Sequence, residues 1–121
     1  MSRTRQENNL YIKKYRKNNP IKTRMNRKCT NANQSPWIEG KKRLSIKDVQ
    51  SVYEENIKHF GTLTCIYCLN LIEFGEDTLE HKIPLSRGGE NNKENLGIAC
   101  SFCNKTKQNK TYEEFMEHIN Q

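Results

Sequence analysis

No stretch of the 121-residue chain approaches the ~18 consecutive apolar residues of a membrane-spanning helix. The opening Met1-Ser2-Arg3-Thr4-Arg5-Gln6-Glu7 lacks the apolar core of a secretory signal. The expectation is an intracellular, cytoplasmic protein with no membrane partner. Hydrophobic residues are scarce as well, at 33%, and the mean hydropathy is −1.02. Apolar burial alone then offsets the chain entropy lost on folding with difficulty, so something must staple the fold. Internal repeats and low-complexity tracts are absent, and the length leaves room for one small domain plus an appendage.

Acidic residues are nearly missing from the first third. Residues 1–44 hold 13 Lys/Arg against 2 Asp/Glu, a balance of +11, whereas residues 45–121 hold 8 against 12, a balance of −4. We read residues 1–44 as a basic N-terminal arm, partly flexible, and residues 45–121 as the domain. Such an arm fits attraction to a polyanion, because each Lys or Arg that neutralises a phosphate releases condensed counterions. On composition alone a plain disordered tail fits as well. Leu10, Tyr11, Ile12 and Tyr15 form its one short apolar cluster, Pro20 interrupts any helix there, and Ser35-Pro36-Trp37 marks its far boundary.

Within the domain, Ser45 caps a helix whose first turn holds Asp48, where the helix dipole favours negative charge. Val49, Val52, Tyr53, Ile57 and Phe60 follow at helical spacing, and Gly61 suits the stop. His59 in its last turn reads as a dipole-capping residue. Residues 62–68 and 71–74 read as short strands, 78–83 as a further strand, 84–94 as an irregular loop with Gly88-Gly89, and 96–99 as a closing strand. A helix begins at the last cysteine pair. Thr111 and Glu114 form a capping box for a terminal helix with Tyr112, Phe115, Met116 and Ile119 facing the core and His118 at the surface.

Five cysteines do not make a disulfide set, and four of them fall in two Cys-x-x-Cys pairs, Cys65/Cys68 and Cys100/Cys103, separated by 31 residues. Each pair turns back sharply enough for both sulfurs to reach one ion, and four thiolates complete a tetrahedral zinc shell. A filled shell leaves no position for substrate, so this zinc is structural. The gap exceeds the ~15–20 residues of simple zinc ribbons, which requires an insertion. Redox-active dithiols need a βαβ context that this sequence lacks. Cys29 is left over as an unpaired thiol in the arm.

The insertion contains Glu80-His81-Lys82-Ile83-Pro84-Leu85-Ser86-Arg87-Gly88-Gly89 and Asn95-Leu96, and the second pair is followed by Asn104 and Lys107. The run E-H-x-x-P-x-S-x-G-G, N-L, C-x-x-C-N-x-x-K resembles the HNH endonuclease family, in particular the branch whose ββα-metal (His-Me finger) motif is braced by a four-cysteine zinc site. The likeness covers Cys65 to Lys107, roughly a third of the chain, and the basic N-terminal region is similar to that of small phage-encoded members. The resemblance implies an α+β fold with flanking helices in a bacterial or phage-infected cell. It also implies a catalytic Mg²⁺ or Mn²⁺ held by Glu80 and Asn104, with His81 activating water. Asn95, the middle residue, would bond loop backbone so that the His81 ring is held. Glu80 stands where aspartate or histidine is common, and Asn104 where the last histidine is expected.

The chemistry of these residues points the same way. Hydrolysing a phosphodiester needs a water made nucleophilic, charge neutralised on the phosphoryl group and a stabilised leaving oxygen. His81 takes a proton near neutral pH, because an unperturbed imidazole titrates at ~6.5, and Glu80 and Asn104 offer hard oxygen donors suited to Mg²⁺. Adjacent strand residues point to opposite sides, which favours divided labour between Glu80 and His81. Arg87, Lys105 and Lys107 are candidates for phosphate contacts. The expected function is metal-dependent cleavage of DNA, ahead of RNA, with monomer and homodimer fitting equally. The competing readings are a non-catalytic zinc-stabilised module that binds DNA or RNA, which does not explain why Glu80, His81, Asn95 and Asn104 occur together, and a protein-interaction zinc domain, which also leaves the arm unexplained.

Overall fold

The computed structural model describes residues 4–120, less the side chains of a few α1 residues, and has an α+β architecture. Helix α1 spans Arg5–Asn18 and α2 Pro20–Asn33. Pro20 does end one helix, but it opens the next at a position where its missing N–H is not needed. The side chains of Tyr11, Ile12 and Tyr15 lie outside what is described. Helix α3 covers Ile46–Phe60, with Ser45 Oγ accepting from the Asp48 N–H and Gly61 closing it at φ 85°. Its Val49, Val52 and Tyr53 are buried.

Strands β1 (Asp77–His81) and β2 (Leu96–Cys100) form an antiparallel pair in which Glu80 faces Gly97 and His81 faces Leu96. Helix α4 (Ser101–Lys107) follows β2 directly and packs on both strands, completing a ββα unit. The strands expected at 62–68 and 71–74 reduce to a single bridge between Thr64 and Leu71. The segment is held instead by side chains: Asn56 of α3 donates to the Thr64 carbonyl and accepts its N–H, at 2.7 and 2.9 Å. Helix α5 (Tyr112–Ile119) carries the Thr111/Glu114 capping box in full, and Phe115 is its buried anchor. His118 is exposed and stacks on the Phe115 ring.

The basic segment is not a free tail along its second half. Met25, Cys29 and Ala32 of α2 pack against the core made by α3, β2 and the cysteine turns. Arg24 pairs with the Asp77 carboxylate at 2.9 Å, and Lys28 donates to the Asp77 carbonyl at 2.8 Å. Asp77 is 5% exposed and is also the acceptor for the Tyr53 hydroxyl. Burial alone would raise its pKa, but the Tyr53 hydrogen bond and the charges of Lys28 and Arg24 outweigh it and hold the carboxyl below the usual range. Two basic residues of the arm are thereby spent on docking α2. Cys29 is half-buried, its thiol donating to the Leu44 carbonyl, and burial pushes its pKa up.

Candidate functional site

The four paired cysteines converge. Their Sγ atoms lie within 4.8 Å of one another, and Cys68 and Cys100 are 3.9 Å apart. Tetrahedral zinc with Zn–S bonds of ~2.3 Å places sulfurs ~3.8 Å apart, so the set fits that ion. Among the described residues it is the only such group of histidine, cysteine and carboxylate side chains. Burial opposes ionisation of Cys65, yet backbone hydrogen bonds from Cys100, Cys68 and Tyr67 outweigh it and lower its pKa, whereas burial pushes the Cys68 and Cys103 thiols up, so the four ionise together only with a cation between them. The Ile66 N–H donates to the Ile98 carbonyl at 3.0 Å, tying the first cysteine turn to β2. The cluster therefore joins the entry of the domain to the β2–α4 junction, and so sets where Asn104 and Lys107 stand.

A cavity of about 500 Å³ opens beside this unit. One wall carries Glu80 and His81 from β1 and Asn104 from α4; the other carries Lys28 and Asn31 of α2 and the exposed Trp37. Between them lies the loop after β1, shaped by two glycines. Gly88 adopts φ 90°, and at Gly89 a Cβ would come within 1.8 Å of the Ile83 carbonyl oxygen, so no side chain fits there. Asn95 stitches this loop together: Oδ1 accepts from the Ile83 N–H at 2.8 Å, and Nδ2 donates to the carbonyls of Ile83 and Glu90, both at 3.0 Å.

Residues 65–110 match the model of the HNH endonuclease family. Over that stretch, 46 of the 121 residues, the chain is similar to an HNH domain. No curated protein matches the chain. The family acts on nucleic acids, and no helix among the described residues is long and apolar enough to cross a membrane.

The site departs from expectation at three residues. Lys107, expected near phosphate, is 1% exposed and can reach none. Its ammonium donates to Glu80 Oε1 at 3.0 Å and to the His81 carbonyl at 3.2 Å. Glu80, expected to hold a catalytic metal, is 6% exposed, and its second oxygen accepts from the Tyr67 hydroxyl. With both oxygens committed to protein donors, Glu80 and Asn104 do not form a ready carboxylate–amide site for Mg²⁺ or Mn²⁺. Arg87 is also engaged, donating to the Asn109 carbonyl at 3.2 Å and pairing with Glu114. The Thr111 backbone N–H, and after it Arg87, lower the Glu114 carboxyl to about 2. Lys105 is exposed on α4, and Asn104 faces the cavity with no side-chain hydrogen bond among the described residues.

The sequence reading missed Asn91. This residue is fully buried, and its Oδ1 lies 2.7 Å from His81 Nε2. It also missed the contribution of Lys28 to the cavity wall. Burial lowers the pKa of that ammonium, a shift that Asp77 opposes. Neither had a local signal, since Asn91 sits ten residues from His81 in an irregular loop and Lys28 looked like one of many arm cations.

Proposed function

We propose that the protein is an endonuclease that hydrolyses phosphodiester bonds in DNA with His81 as general base. The observation that carries this reading is the position of His81: on the last residue of β1, half-buried, hydrogen-bonded on one ring nitrogen and lining a cavity whose opposite wall carries Lys28. A phosphate drawn in by the α2 face meets the imidazole there. The imidazole takes a proton from water as the water oxygen bonds to phosphorus; the bond from phosphorus to the leaving oxygen breaks, and that oxygen takes a proton from solvent. Lys28, anchored on Asp77 together with Arg24, lends the cavity wall the excess positive charge of two cations over one carboxylate as negative charge builds. Asn104 offers an amide to the same group, Asn95 keeps the loop in shape, and Lys105 contacts the flanking phosphate backbone. Zinc on the four cysteines holds the frame.

A divalent cation would have to draw Glu80 away from Lys107 and Tyr67, so no step is routed through one here. The same ion pair favours the second reading, a zinc-stabilised module that binds DNA without cutting it. Cleavage of supercoiled plasmid by zinc-loaded protein, with and without Mg²⁺ or Mn²⁺, separates the two. Nicked or linear product that His81→Ala abolishes while DNA binding persists supports the nuclease; binding without cleavage of plasmid, branched DNA or RNA leaves the module.

A further inference from the structure

We propose that Asn91 is the positioning residue of the His81 base, and that it holds the ring in the tautomer protonated on Nε2, leaving Nδ1 as the proton acceptor. The argument starts from the Asn91 amide. Its Nδ2 donates to the Lys42 carbonyl at 2.9 Å, and its Oδ1 faces His81 Nε2 at 2.7 Å. Reversing the amide would set Oδ1 against the Lys42 carbonyl, two acceptors at hydrogen-bond distance with no proton between them. Asn91 is 0% exposed, so water cannot relieve that repulsion. The carbonyl of Lys42 thus fixes which end of the amide meets the ring. An amide oxygen only accepts, so the nitrogen it meets must carry the hydrogen. In neutral imidazole the other nitrogen is then bare.

The Lys42 carbonyl is itself held in place. Lys41 donates to the Gly89 carbonyl at 2.7 Å and its ammonium lies 3.8 Å from the Glu90 carboxylate. Residues 41 and 42 thus strap the loop that presents Asn91, and the segment joining α2 to α3 becomes part of the base's support. Asn95 has a different task, since its side chain bonds backbone of Ile83 and Glu90 and not the ring. The consequence for turnover rests on the endonuclease reading; the tautomer does not.

The test is long-range ¹H–¹⁵N correlation on zinc-loaded protein labelled at histidine, recorded well above the ordinary histidine pKa of about 6.5. The expected His81 pattern is a protonated Nε2 and an unprotonated Nδ1, turning to a tautomer mixture in Asn91→Ala. A wild-type ring protonated on Nδ1, or a mixture, overturns the proposal without any variant having to fold. In plasmid cleavage, Asn91→Ala is expected to lower kcat by roughly 100-fold, the scale for a misplaced catalytic group, with KM within two-fold. An unchanged kcat in a variant that has lost the single tautomer overturns the positioning role. A wild type that shows the single tautomer but cuts nothing upholds the assignment of Asn91 and sinks the endonuclease reading alone.

Discussion

Lys107→Met is the perturbation that best separates a structural lysine from a phosphate-binding one. In the folded protein Lys107 and Glu80 are 1% and 6% exposed and 3.0 Å apart. Methionine of similar length fills the space but leaves the Glu80 carboxylate with only the Tyr67 hydroxyl, and also strips the His81 carbonyl of a donor. Breaking a buried ion pair by removing one partner costs about 3–5 kcal/mol. At roughly 4 °C per kcal/mol for a chain of this size, Tm should fall by roughly 12–20 °C. Glu80→Gln combined with Lys107→Met removes both charges and keeps an acceptor for Tyr67. The double variant should therefore recover most of the loss, falling short of wild type only by what the His81 carbonyl left without its donor costs, and lie well above the single one. Thermal melts followed by circular dichroism at saturating zinc read all three proteins. A Lys107→Met protein as stable as wild type, whose DNA affinity falls while its salt slope drops by about 1, would refute the burial argument and restore the phosphate contact.

Zinc should be present at one ion per chain, released by a mercurial and counted with a chromogenic chelator; because structural zinc contributes ~10–16 kcal/mol in small domains, Cys103→Ser or a strong chelator should abolish the folded circular dichroism signal, and a metal-free protein that keeps its fold would count against the site. Asp77→Asn should loosen α2, speeding tryptic cleavage at Arg24 and Lys28, whereas an unchanged digestion rate would mean that the Asp77 pairs do not hold the helix. The folded-state pKa of Asp77 is depressed, so its contribution is present above the unfolded value of 3.8 and is lost only as pH falls from there through the folded value; docking should therefore be insensitive to pH across the neutral range.

The elements legible in the sequence are those whose signals are local. Helix α3 was announced by Ser45 at one end and Gly61 at the other, and α5 by Thr111 and Glu114, because caps act within one turn. The cysteine pairs were legible because two turns and one ion leave few arrangements, and residues 65–110 match the family that the motif resembled. The short strands expected at 62–74 failed for the complementary reason: alternation predicts extended chain but not a partner, and Asn56 from α3 satisfies the backbone that a strand would have paired.

By itself, then, the sequence determined the helix ends, the four sulfurs that converge to suit one ion and the histidine-centred motif, all set by neighbours a few residues apart or by ligand chemistry. The tertiary structure alone decided the fate of the charges and amides. Lys107 meets Glu80 across 27 residues, Arg24 meets Asp77 across 53, and Asn91 meets the Lys42 carbonyl across 49. Nothing in a one-dimensional pattern tells a solvated lysine from one that burial forces onto a carboxylate, because the desolvation that makes such a pairing obligatory exists only once the chain has closed around it.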